Sequence, residues 1–133
     1  MASAKPSVGT PRPISPHLQI YSPLVNMMMS IIHRITGVGL YIGTLLLAFY
    51  LASAASGPAA FAYASWLFGS PIGLLILFGY TWVLFHHMLG GVRHLIWDTG
   101  RGFDLATVDK LCWGSLIASV SLTILVWIVA FLF

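Results

Sequence analysis

Residues 71–98 read PIGLLILFGYTWVLFHHMLGGVRHLIWD. Between Pro71 and Phe85 there is no charged residue, and then His86, His87, Arg93, His94 and Asp98 follow within four turns. A helix needs about 20 apolar residues to cross a hydrocarbon core about 30 Å thick, and Pro71–Trp97 exceeds that length. A lone strand cannot cross, because its backbone N–H and C=O groups would have no partners in lipid. The stretch therefore predicts a transmembrane helix that carries, at one end, polar groups that lipid would reject.

Working outward, Met27–Ala54 and Leu111–Phe133 are apolar runs of similar length. The expected fold is all-α: an integral membrane protein with three transmembrane helices over residues 27–54, 71–97 and 111–133. Composition agrees. Of 133 residues, 59% are hydrophobic and 7% charged, with six Lys+Arg, three Asp and no Glu, where a soluble domain carries about 25% charged residues. That excludes a water-soluble monomer and a disordered chain. The net charge of +3 comes from dispersed cations and makes no basic stripe, so nucleic acid is not an expected partner. Cys112 is the single cysteine and cannot form an internal disulfide.

Residues 1–26 differ in character. They hold five of the seven prolines, Pro6, Pro11, Pro13, Pro16 and Pro23, which remove amide donors and fix φ. An extended arm on the membrane surface or on a partner is expected. No short apolar core follows the first charges, so the arm does not read as a signal peptide. Ser56-Gly57-Pro58 marks the first loop, Phe61–Phe68 reads as an interfacial segment, and Thr99–Lys110 reads as the second loop. Lys5 and Arg12 lie in the arm, Arg101 and Lys110 in the second loop, and no cation lies in the first loop or at the C-terminus. The positive-inside rule then predicts the N-terminus and second loop inside and the C-terminus outside.

Polar residues within spans are costly and mark function by default. On a helix, His87, Gly91, His94 and Asp98 form one stripe, and His86, Gly90, Arg93 and Trp97 a second one about 100° away. Counted from Asp98, His87 lies on the order of 16 Å deep, near the midplane. A neutral imidazole there can ligate a metal through one nitrogen, with the other held by a backbone carbonyl, that of Val83 one turn earlier being the expected one. Near the start of the first span stand Asn26, Ser30, His33, Arg34 and Thr36, with Ser30, Arg34, Gly37 and Tyr41 on one stripe. His33 lies roughly 9 Å deep by the same count, a mismatch with His87. If a haem is bound between two imidazoles, the chain is thus expected to supply one of them and a second polypeptide the other. Against these readings stand simpler ones: His86 as a packing residue, Arg93 as a snorkelling anchor, and Gly37, Gly39 and Gly43 as helix-packing positions.

Three motifs carry a resemblance. Arg12-Pro13-Ile14-Ser15-Pro16-His17-Leu18-Gln19-Ile20-Tyr21, Ser30-Ile31-Ile32-His33-Arg34-Ile35-Thr36-Gly37 and His87-Met88-Leu89-Gly90-Gly91-Val92-Arg93-His94-Leu95-Ile96-Trp97-Asp98 resemble, in order, signatures of the cytochrome b subunit of succinate dehydrogenase. The resemblance covers nearly the whole chain and is closest in style to the alphaproteobacterial and mitochondrial branch. It implies a membrane-anchor subunit of succinate:ubiquinone oxidoreductase, in a bacterial inner membrane or, alternatively, a mitochondrial one. His87 takes the position of the haem b axial ligand, with adjacent His86 as the substitute. Ser30, Ile31 and Arg34 match the ubiquinone site. His33, Arg34, His94 and Asp98 match propionate contacts or proton supply. The implied partners are a second small membrane anchor carrying the other haem ligand, an iron–sulfur subunit, a flavoprotein subunit and lipid. The chain itself has no G-x-G-x-x-G and no cysteine set for an iron–sulfur cluster, so it is not expected to oxidise succinate alone. Rival readings are the anchor of a fumarate reductase and, from another class, a small metal or proton transporter subunit using His86, His87 and His94.

Overall fold

The computed structural model describes residues 21–133, so Lys5, Arg12 and nearly all of the proline-rich arm, with its motif, lie outside the described residues. Four helices follow: α1 Val25–Ala55, α2 Pro58–Gly69, α3 Pro71–Asp98 and α4 Leu105–Leu132. Three of them, α1, α3 and α4, are long and apolar enough to cross a membrane. The end that carries Val25, Asp98 and Leu105 is here called proximal, and the end that carries α2 distal.

Local chemistry sets the ends. Gly57 adopts φ 113°, a conformation open to glycine, and Pro58 begins α2 where its missing N–H costs nothing. Ser70 joins α2 to α3. Its hydroxyl donates to the Leu67 carbonyl at 2.7 Å and accepts from the Gly73 amide at 3.0 Å. A Cβ on Gly73 would meet the carbonyl oxygens of Leu67 and Phe68, which are backbone atoms and cannot swing aside. Gly73→Ala is therefore expected to cost roughly 1–3 kcal/mol as overpacking does, read as a lower thermal midpoint of the detergent-solubilised protein.

The sequence-based loop Thr99–Lys110 is shorter in the structure, because α4 starts at Leu105. Asp104 is the cause: its carboxylate accepts from the Thr107 amide at 3.0 Å, an N-cap. The hydrogen bonds from Thr107 hold the Asp104 carboxyl below the usual carboxylate range. Asp109 and Lys110 interrupt the hydropathy and so make the stretch read as loop, yet the opening turns of a helix near the interface tolerate charge. Trp97 Nε1 donates to the Gly102 carbonyl at 3.1 Å and ties the loop to α3.

The buried set shows the solvent this bundle is built for. Buried hydrophobic residues are few, Met29, Ala64 and Cys112 among them, whereas Thr36, Ser53, His86, Arg93, Ser119 and Thr123 are buried. Large apolar side chains such as Ile35, Leu45, Leu75 and Phe131 point outward. Lipid rewards apolar exposure, and helices then associate through small residues and hydrogen bonds. Helix α3 lies centrally, packed on both α4 and α1. Gly37, Gly39 and Gly43 all face α3, against His87, Val83 and Tyr80, in the helix-packing role expected of them.

Candidate functional site

The proximal half of the α1–α3 contact holds the histidines. His87 Nδ1 lies 3.1 Å from the His33 carbonyl oxygen and 3.3 Å from Thr36 Oγ1. A carbonyl only accepts, so the proton sits on Nδ1 and Nε2 keeps its lone pair. The sequence-based partner, the Val83 carbonyl, is not used. The bond crosses to α1 instead, because Gly37 lets α3 approach until a Cβ there would lie 3.1 Å from His87 Cε1.

His33 stacks face to face on His87, with ring centroids 3.9 Å apart and planes 8° from parallel. The two rings touch although their backbones stand at different levels, the His33 ring lying opposite Gly90 and the His87 ring opposite Gly37. Gly90 makes the contact possible. A Cβ there would press on the His33 ring, so His33 nests against the α3 backbone at a position as far from the α3 end as His33 is from the α1 start. Stacked on their faces, the two rings hold their in-plane lone pairs side by side and not toward one another. His94 completes the cluster at 5.4 Å from His33 and is itself exposed. His33 Nδ1 is buried with no hydrogen-bond partner among the described residues.

His86 and Arg93 turn the other way, toward α4. His86 is 1% exposed, its ring 5.1 Å from Trp82 and its Nδ1 3.5 Å from Ser119 Oγ. Arg93 does not snorkel. It is 3% exposed, with Nη1 3.4 Å from both Cys112 Sγ and Ser115 Oγ and the guanidinium over Trp97. No periodicity argument could tell an inward from an outward arginine here, since the answer depends on which α4 residues face it. His86 and His87 therefore do not converge on one ion, and among the described residues no three His, Cys, Asp or Glu side chains do.

Ser30, Ile31 and Arg34 lie on the open side of α1, all exposed, and Asp98 is exposed at the α3 terminus. The structure brings His33, His87 and His94 together; Ser30 and Arg34 flank that cluster one turn apart, free to meet a ligand or another chain. The sequence reading gave no role to Thr36 and put Gly90 on the His86 stripe. The signal for both was their spacing from His33 and His87, which becomes legible only with α1 and α3 in register.

The cluster fits a haem on its own chemistry. His87 Nε2 has no hydrogen bond among the described residues, its ring is oriented by two acceptors and a stacked neighbour, and a Cβ on Gly91, one turn along the same stripe, would meet nothing within 4 Å. The fold and site define a class: a three-span membrane protein that offers one oriented imidazole beside exposed cationic and hydroxyl groups. Residues 9–129 match the succinate dehydrogenase/fumarate reductase transmembrane subunit family, and the chain belongs to it. It is 41% identical over 122 residues to the succinate dehydrogenase cytochrome b556 subunit of Paracoccus denitrificans, covering 92% of this chain and 94% of that one. Identity to the subunit of the same name from Rickettsia bellii is 37%, over 96% of this chain and all of the relative. A cytochrome b560 subunit from Reclinomonas americana is 35% identical, over 89% of this chain and 85% of its own.

Proposed function

We propose that the chain is the cytochrome b anchor of a succinate:ubiquinone oxidoreductase, co-ligating haem b through His87 and forming part of the ubiquinone-reducing site. The observation that carries the reading is His87: its Nδ1 is committed to the His33 carbonyl, so Nε2 points onward as a donor. A haem held there supplies one-electron transfer, with its potential set by axial ligand and burial. A second small membrane subunit would supply the other haem ligand. Electrons come from an iron–sulfur subunit, which receives them from a flavoprotein that oxidises succinate. The names of the relatives favour this direction over fumarate reduction.

Reduction of a quinone to a quinol takes two electrons and two protons. The Ser30 hydroxyl donates to a quinone carbonyl oxygen, and the Arg34 guanidinium, always charged, stabilises negative charge that develops there. Ile31 supplies an apolar wall beside them. His33, Arg34 and His94 are suited to carboxylates of a bound haem, and His94 and Asp98, both exposed, to relaying protons from the aqueous side. The proximal end then lies on the inner side of the membrane, with Arg101 and Lys110 in agreement with the positive-inside rule.

The test is purification of the tagged chain in mild detergent, with mass spectrometry of its partners and a reduced-minus-oxidised spectrum. A flavoprotein, an iron–sulfur protein, a second small membrane protein and a b-type difference band are expected. Recovery without those partners and without the band would sink the reading.

A further inference from the structure

Thr36 is 3% exposed and stands beside the His33 carbonyl that orients His87. Its hydroxyl donates to the His33 carbonyl at 2.9 Å and stands 3.3 Å from His87 Nδ1. Since its own proton is given to the carbonyl, the hydroxyl oxygen faces the imidazole as an acceptor. The Nδ1–H is therefore shared by two acceptors, the His33 carbonyl and the Thr36 hydroxyl.

We propose that Thr36 is a positioning residue for His87: as a second acceptor beside the His33 carbonyl, its hydroxyl helps hold the imidazole in the Nδ1–H form and strengthens Nε2 as a donor to iron. This rests on the reading of His87 as an axial ligand. The physical reason is that a hydrogen bond taken from Nδ1–H pushes electron density into the ring, so Nε2 becomes more basic. A stronger donor favours ferric over ferrous iron and lowers the reduction potential. A threonine in a helix can also bond back to its own turn with no wider effect, and here it does bond back. The second contact, across to α3, is what a purely local role leaves unexplained.

The test uses the intact purified complex with Thr36→Val, Thr36→Ser and His87→Ala. Valine keeps the volume and removes the acceptor, and a site this buried has no room for a replacing water. For Thr36→Val the thermal midpoint is expected to stay near wild type and enough haem to remain for a titration, because the His33 carbonyl still accepts from Nδ1–H. The haem midpoint potential is expected to rise by up to about 59 mV, a tenfold change in a one-electron equilibrium. Thr36→Ser, which restores the hydroxyl, is expected to return the potential to the wild-type value. A potential that does not move in Thr36→Val, or one that serine fails to restore, overturns the proposal. His87→Ala separates this from the underlying reading: if the haem spectrum survives that change, the ligand assignment fails and the role of Thr36 fails with it.

Discussion

His87→Ala is expected to abolish the b-type difference spectrum of the purified complex, with haem content down at least about tenfold. Loss of even an outer hydrogen-bond partner of a metal ligand typically costs 10–100-fold in affinity, and removal of the ligand itself costs more. No neighbouring imidazole can replace it. His33 is stacked on the position the ring vacates, with its own backbone locked in α1, and His86 is turned toward Trp82 and Ser119. His86→Ala is the matched control: it opens a hole between α3 and α4 and lowers thermal stability, yet leaves the spectrum in place. An intact bis-imidazole spectrum in His87→Ala, or its loss in His86→Ala with the fold retained, would reverse the assignment. This pair of variants tests a distinction between adjacent residues in which the motif register, through Gly91, and the tertiary contacts both favour His87.

Arg34→Ala is expected to lower quinone reduction by about 10²–10³-fold, the range found when one preorganised charge-stabilising donor is removed. Succinate oxidation with a water-soluble acceptor should persist, because those electrons need not reach the membrane site. The exposed position of Arg34 on α1 argues that the loss will not come from unfolding, in contrast to the buried Arg93. Lysine at position 34 keeps the charge but not the fork of donors, and an intermediate rate is expected. Equal loss of both activities would point to failed assembly and remove Arg34 from the quinone site.

Much of this architecture is visible in one dimension because lipid is a demanding solvent. The hydrocarbon core imposes a minimum helix length and forbids irregular backbone, so long apolar runs can hardly be anything but spans, and α1 and α3 begin and end within two residues of the bounds predicted for them. The start of α4 escaped the same reasoning, since Asp104 caps a helix whose second turn opens on two charges, Asp109 and Lys110. Residue type and helical spacing likewise singled out His33, Arg34, His87 and His94. The relation between them was beyond reach. Depth counted along separate helices put His33 and His87 apart, whereas Gly37 and Gly90 draw α1 and α3 together and set the two rings in contact.

The membrane class, the number of spans and the identity of the polar residues follow from composition and periodicity, which report each residue's preference for lipid or water. Which carbonyl holds His87, which way Arg93 turns and what Thr36 touches depend on the register of one helix against another. That register is set by close contacts at glycines and by hydrogen bonds between residues more than 50 positions apart, and no local pattern encodes it.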